Sequence, residues 1–440
     1  MKKVRDQLRV KKERAILVGA ILRGSQGFQS DNLVELTALA ETAGAIVVDR
    51  FQQKVYHIHP ATYIGTGKAE MLGQRVRRFS ANVVIFDNDL SPGQIRELEK
   101  RVGAKVLDRS ELILDIFATR ACTRQAKLQV ELAQLEYTYP RLTRMWSHLD
   151  SVAGAGGGTT AGAVGGIGTR GTGEKQLEID RRLVSRRITE LKRELAVIDN
   201  RRLREIAGRR GLFKICLVGY TNAGKSTLMK QLAGADVLIE DRLFATLDTR
   251  TRRWRLDGGV EVLLSDTVGF VNHLPHHLVA SFKATLEEAV NADLLLHVVD
   301  AANPAAFDQI ESVTQVLKEI GCAEKEVLVV LNKCDQLRHP GLIESLQTVH
   351  ASALCVSART GMNIDRLVQA VLERYRGGQT LVEITCHAGD GRMQSFLRAN
   401  GQILAEDYAD SRVRIRARLG RTGLDQLRRM HPETLETLPS

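Results

Sequence analysis

Gly219-Tyr220-Thr221-Asn222-Ala223-Gly224-Lys225-Ser226-Thr227 decides how this chain is read. The apolar run Ile215–Val218 leads into it, and a helical pattern from Thr227 to Leu232 leaves it. Strand, glycine loop and helix, in that order, are the context of a phosphate-binding loop. Gly219 and Gly224 let backbone N–H groups converge on anionic oxygens, and the helix N-terminus adds positive potential. Lys225 can reach terminal phosphates, and Ser226 can ligate Mg²⁺ through its hydroxyl.

A phosphate loop does not choose a base; Asn332-Lys333-Cys334-Asp335 does. It follows the apolar run Val327–Leu331, at a strand's carboxyl end, where open α/β sheets bind ligands. Asp335 can accept two hydrogen bonds from the N1–H and exocyclic amine of guanine, a charge-assisted pair that adenine cannot supply. Lys333 can lie along the ring, and Asn332 can brace the phosphate loop. Ser357-Ala358-Arg359 follows Ala353–Val356, and a backbone N–H there can donate to the guanine O6.

Two switch segments complete the set. Ser265-Asp266-Thr267-Val268-Gly269 ends the strand Val260–Leu264; Asp266 can hold Mg²⁺ through water, and the Gly269 N–H can sense a γ-phosphate. Phe244-Ala245-Thr246-Leu247-Asp248 lies between the phosphate loop and that strand, and Thr246 can close over the metal. The expected catalytic groups are therefore Lys225, Thr246, Asp266 and Gly269, with Ser226 and Thr246 as Mg²⁺ ligands. The order and spacing are those of a translation-factor-class GTPase. Ras-like proteins place a water-orienting Gln after the switch glycine. Here the residue is Phe270, so slow intrinsic hydrolysis and a stimulating partner are expected. Asn222 stands where potassium-dependent GTPases use an Asn to help hold a monovalent cation, which leaves K⁺ open as a further cofactor.

The chain has 440 residues, enough for two to four domains. Its hydrophobic content of 43% is ordinary for a packed soluble protein. No apolar run reaches about 18 residues, so no membrane-spanning helix is expected. The six cysteines are scattered, without a CxxC pair, which suggests neither zinc nor a disulfide framework and fits a reducing cytoplasm. A net charge of +11 points to a polyanionic partner, nucleic acid first. A peripheral membrane contact stays open, and a monomer is expected.

Before the GTPase segment, strands at Ala15–Val18, Ala45–Val48, Val83–Phe86 and Lys105–Leu107 alternate with helices, predicting a small parallel sheet. Ser30 is the expected cap of the first helix, and Ser91-Pro92 starts a later one. Gly65-Thr66-Gly67-Lys68 opens a helix and reads as a structural turn or a weak second phosphate site. Glu111 to Tyr139, free of glycine and proline, reads as one long helix ending at Pro140. A second, cationic helix from Glu174 to Ile206 should pair with it antiparallel. Between them, the segment Gly154 to Gly173 reads as a passive loop or a tip that orders on a partner. After the GTPase segment, Arg412, Arg414, Arg416 and Arg418 alternate with apolar residues, as a solvated strand face or an RNA-backbone contact. The last ten residues look disordered. The domains predicted are 1–108, 109–210, 211–377 and 378–440. The fold class is α/β: a Ras-like P-loop GTPase domain preceded by a small parallel α/β domain and a long antiparallel helical arm, with a small C-terminal α+β domain.

Several of these stretches, Tyr63–Lys68, Asp108–Phe117, Gln129–Leu135, Gly166–Glu174 and Phe244–Asp248, together resemble the HflX family over roughly residues 15–375. The resemblance implies a cytoplasmic GTPase that binds the large ribosomal subunit and splits stalled or idle ribosomes, notably under heat stress. It implies that the arm and its glycine tip reach the subunit's interior. It also implies GTP contacts from Gly219 to Ser226, Phe244 to Asp248, Asp266 to Gly269, Asn332 to Asp335 and Ser357 to Arg359, with Mg²⁺ on Ser226 and Thr246. Thr172 and Thr249 depart from the family by replacing prolines. The alternatives from the residues alone are a nucleotide-gated assembly module and an ATP-dependent RNA-remodelling enzyme using the N-terminal domain.

Overall fold

A computed structural model of the chain describes residues 13–22, 33–145, 181–198, 212–234, 243–244, 250–256, 260–271, 283–337, 340–377, 379–409 and 411–438. The first unit alternates strands β1 (Arg14–Leu22), β2 (Ile46–Val55), β3 (Val83–Phe86) and β4 (Lys105–Leu107) with helices α1 (Val34–Thr42), α2 (Thr66–Phe79), α3 (Pro92–Val102) and α4 (Arg109–Arg120). The strands are parallel, in the order β2-β1-β3-β4. Period-two alternation splits β1 between two cores. Ala15 and Leu17 pack with α1 and α4, while Ile16, Val18 and Ala20 pack with α2 and α3. Ser91 caps α3 through a reciprocal pair with Gln94, with Pro92 at the first helical position. α1 starts instead after Leu33, whose φ is 55°, and Ser30 lies outside the described residues.

The glycine-free stretch Glu111–Tyr139 is not one helix. α4 stops at Arg120, Ala121 turns out at ψ 110°, and α5 (Arg124–Met145) restarts. Thr123 caps the new start: its Oγ1 accepts from Ala126 N at 3.1 Å. A local hydroxyl cap here overrides a run without helix breakers. Pro140 does not end α5 either; the helix runs through it to Met145. α6 (181–198) lies antiparallel to α5, with Arg124 on Glu194 at 3.2 Å, Arg187 on Glu131 at 2.8 Å and Arg181 over the Tyr139 ring. Leu128, Leu132, Leu191 and Leu195 form the seam. The glycine-rich segment and the outer parts of the second helix lie outside the described residues.

The third unit comprises β5 (Phe213–Gly219), α7 (Lys225–Ala233), β6 (Arg250–Arg255), β7 (Glu261–Asp266), α8 (Lys283–Val290), β8 (Leu294–Asp300), α9 (Ala306–Glu319), β9 (Glu326–Asn332), α10 (Pro340–Val349), β10 (Leu354–Cys355) and α11 (Ile364–Gly377). The sheet order is β10-β9-β8-β5-β7-β6, parallel except for the antiparallel edge strand β6.

The last unit runs β11 (Gln379–His387), α12 (Gly391–Asn400), β12 (Gly401–Ala409), β13 (Arg412–Gly420), α13 (Arg421–Arg429) and β14 (Thr434–Leu438). Its antiparallel sheet has the order β12-β13-β11-β14. One sequence expectation changes here. The last ten residues are ordered through Leu438, because β14 closes the free edge of β11 from Leu381 to Thr385. The arginine face of β13 is also compensated: Glu383 takes Arg414 at 3.4 Å and Arg416 at 2.6 Å, and Glu433 takes Arg412 at 2.9 Å.

Candidate functional site

Strand register brings the motifs to one edge. β5 ends at Gly219 beside Val298, β7 ends at Asp266, and Asp300 of β8 pairs with Asn332 of β9. The phosphate loop needs its glycines for space as well as for φ. A Cβ on Gly219 (φ 146°) would lie 2.2 Å from the Val298 carbonyl oxygen, and one on Gly224 (φ 94°) would lie 2.2 Å from Asn332 Nδ2. Asn222 holds a left-handed φ of 59° between them. Ala223 is buried, and Thr227 continues the first turn of α7.

Lys225 is buried, and its Nζ donates to the carbonyls of Gly219 at 3.0 Å and Tyr220 at 2.9 Å. Burial pushes its pKa down to about 8, against the opposing pull of Asp266. Among the described residues no carboxylate forms an ion pair with it. A desolvated cation bonded to carbonyls alone suits an incoming polyanion. Ser226 Oγ donates to Asp266 Oδ2 at 2.6 Å. A hydroxyl and a carboxylate converging beside that lysine are hard oxygen donors of the type Mg²⁺ takes, so these residues fit the ion. Thr246, the other expected ligand, lies with Ala245, Leu247 and Asp248 outside the described residues.

The segment after Asp266 folds back onto the loop. Thr267 Oγ1 donates to Leu217 O at 2.7 Å. Phe270 N donates to Gly219 O at 3.1 Å, and Thr221 N donates to Phe270 O at 2.7 Å. Gly269 is held so close that a Cβ on it would lie 2.7 Å from Thr221 Cα and 3.0 Å from Lys225 Nζ. Val268 and Phe270 point the other way and are buried. The ring standing in the water-orienting position is thus a core side chain.

The base-side loops are cross-braced. Asn332 Nδ2 donates to Ala223 O, and Asn332 Oδ1 accepts from Ala358 N, each at 2.9 Å. Lys333 Nζ pairs with Asp300 Oδ2 at 2.7 Å. Asp335 and Arg359 are exposed, whereas Ser357 is buried with its Oγ accepting from Thr360 N. The Cys334 thiol, pushed up to about 12 by burial, donates to Leu331 O and has no reactive character.

The first unit supplies residues that the sequence reading missed. The Tyr220 hydroxyl donates to Glu35 of α1. Arg109 of α4 binds Glu35 at 2.9 Å and Asp87 at 2.6 Å from a buried position. Desolvation opposes its charge, but Glu35 and Asp87 outweigh it and raise its pKa above the ordinary value. Phe117 meets Phe244 edge to face, with ring centroids 4.6 Å apart. Tyr220, Phe244, Val268, Phe270 and Val271 share one buried cluster with α1 and α4. The available signal was Tyr220, a large aromatic in a loop built for backbone contacts. Gly65-Thr66-Gly67-Lys68 forms the start of α2 in the first unit, with Lys68 exposed.

A six-stranded sheet carrying this loop, this lysine and two braced base-side loops at its carboxyl edge defines a Ras-like P-loop GTPase, an enzyme that binds and hydrolyses GTP. Residues 30–118, 120–209 and 214–333 match the family descriptions "GTP-binding GTPase N-terminal", "GTP-binding GTPase Middle Region" and "50S ribosome-binding GTPase". The GTPase HflX of Lacrimispora saccharolytica is 42% identical over 414 residues, 93% of this chain and 94% of the relative. That of Escherichia coli K12 is 41% identical over 389 residues, 87% of this chain and 88% of the relative. The chain belongs to the HflX family of GTPases. A GTP-binding protein from Sulfolobus solfataricus, solved with GDP, matches 82% of this chain and 98% of its own at 23% identity and a TM-score of 0.42.

Proposed function

We propose that this GTPase docks on the large ribosomal subunit, is stimulated by it, and splits stalled or idle ribosomes in the cytoplasm. The burial of Phe270 carries the reading. The residue after the switch glycine cannot orient water, and it sits in a core shared with the first unit. A γ-phosphate entering between Lys225 and Gly269 has to lift Gly269, and Phe270 with it. The loaded state therefore reaches α1 and α4, and α4 leads directly into the arm. Residues 1–108, 109–210, 211–377 and 378–440 act as four units in this scheme, with 109–210 as the lever. The family description "50S ribosome-binding GTPase" and the chain's +11 charge support the partner.

Within the site, Lys225 neutralises phosphate oxygens, Gly269 reads the γ-phosphate, and Asp335 selects guanine while Asn332 holds the two loops in register. Ser226 and Thr246 would ligate Mg²⁺, with Asp266 holding it through water, and the ion would offset phosphate charge. Asn222 is the position for a K⁺ ion. No helix among the described residues is long and apolar enough to cross a membrane.

GTP turnover measured with and without purified large subunits tests the proposal. A rise of an order of magnitude or more supports it, on the scale that partner-supplied groups give other GTPases. An unchanged rate rejects it. Light scattering of intact ribosomes with GTP then separates splitting from a nucleotide-gated binding module, which would dock without lowering the signal.

A further inference from the structure

β6 is the terminal strand of the six-stranded sheet: one edge pairs with β7, and the other carries no strand among the described residues. Trp254 is buried opposite Val262 and anchors it. Around that anchor stand Arg250, Arg252, Arg253 and Arg255, all exposed. Alternation puts Arg250 and Arg252 on the Trp254 face, and Arg253 and Arg255 on the other. Arg253 and Arg255 share one carboxylate, Glu261, at 3.4 and 3.0 Å. Arg250 and Arg252 have no ion pair among the described residues. The contrast with β13 is direct, since three of its four arginines are paired with Glu383 or Glu433.

We infer that the β6 edge is a docking strip for an RNA phosphodiester backbone. This rests on the ribosome-binding reading and adds a second contact surface, on the GTPase unit itself. Guanidinium forks match phosphate oxygens bidentately. Alternate strand residues stand about 6.6 Å apart, so Arg250 and Arg252 can take separate phosphates. Edge charges also deter pairing with a foreign strand. That role is served by either sign, whereas every exposed charge on this strand is an arginine. The strip follows Phe244–Asp248 in the chain, and Arg250 stands opposite Asp266. A partner held here therefore touches the segment next to the nucleotide switches.

The test compares full-length wild type with R250Q/R252Q, which leaves Trp254 and the Arg253 and Arg255 pairs with Glu261 untouched. Affinity for purified large ribosomal subunits is measured with a non-hydrolysable GTP analogue across roughly 50 to 200 mM salt. The expected result is a plot of log affinity against log salt shallower by about 2, with GTP-analogue affinity of the free protein unchanged. Arg→Lys at the same two positions keeps the charge and should restore most of the slope, which distinguishes lost phosphate contacts from misfolding. An unchanged slope in the Gln variant, while wild type binds, overturns the strip and leaves the ribosome reading standing. Wild type that ignores subunits overturns both. Loss of binding to phosphatidylglycerol vesicles, with subunit binding intact, overturns the RNA assignment in favour of a membrane surface.

Discussion

Replacing Asn332 with alanine asks whether one buried side chain holds two nucleotide loops in register. The amide makes two hydrogen bonds of 2.9 Å, to Ala223 O and from Ala358 N. Truncation leaves one buried carbonyl and one buried N–H without partners, at about 1–3 kcal/mol each. Relaxation recovers part of this, so the net loss should be about 2–4 kcal/mol. Part of it falls on folding and part on nucleotide binding, and a 10- to 100-fold weaker affinity for GDP is expected at about 1.4 kcal/mol per decade. Titration with a fluorescent GDP analogue measures the binding share; urea unfolding without nucleotide measures the rest. Gly224→Ala sharpens the test. Its Cβ would lie 2.2 Å from Asn332 Nδ2, on top of a left-handed φ of 94° that costs alanine about 1–2 kcal/mol. In the Asn332→Ala background the clash partner is gone and only the backbone strain remains. The double variant should therefore be better than the sum of the singles by about 0.5–3 kcal/mol. Strict additivity, or wild-type GDP affinity in Asn332→Ala, would refute the brace.

Lys225→Met should abolish GTP binding and yet stabilise the nucleotide-free protein by about 1–3 kcal/mol, because a cation held down to about 8 by burial is lost. The sign follows from the lowered pKa. Below about pH 8 the ammonium is charged, folded or not, and its burial cost is fully present; between about 8 and 10.5 the folded form sheds its proton first, so wild-type stability rises with pH and the variant's does not. Thermal unfolding across that range reads the difference. Phe270→Gln should not make a faster Ras-like enzyme: it places an amide in the shared core and should cost about 3–5 kcal/mol, seen as a lower urea midpoint with no gain in intrinsic turnover. Glu111 is raised to about 7, first by burial and then by Asp108. The unfolded chain ionises it near 4.5, so it takes stability away as pH climbs from about 4.5 to about 7. Glu111→Gln should remove about 1–2 kcal/mol of that slope after allowance for partial exposure, measured as the change in melting temperature between pH 5 and 8.

The nucleotide unit was legible because its motifs are short and ordered at strand ends, where the structure finds Lys225 on the loop carbonyls and Asn332 bridging two loops. Long-range pairing was not. The four arginines of β13 look alike along the chain, and only the cross-strand neighbour Glu383 shows that two of them are spoken for. β14 escaped notice because Thr434–Leu438 is a short, polar edge strand whose order comes from β11 rather than from its own composition. The break at Ala121–Thr123 was hidden by the absence of glycine or proline. The docking of Tyr220 on Glu35 joins residues 185 positions apart, a distance no local pattern spans.

The pair of amides that zips Phe270 to the phosphate loop also acts as a clock. Thr221 N–H and Phe270 N–H exchange with solvent only when that seam opens. On the proposed scheme, in which a triphosphate lifts Gly269, their exchange rates in the free protein count the molecules already open at that seam, and the apparent GTP affinity is the intrinsic one scaled by that fraction. A substitution in α1 or α4, far from any phosphate, should retune how tightly the enzyme takes up its fuel without touching a single ligand atom.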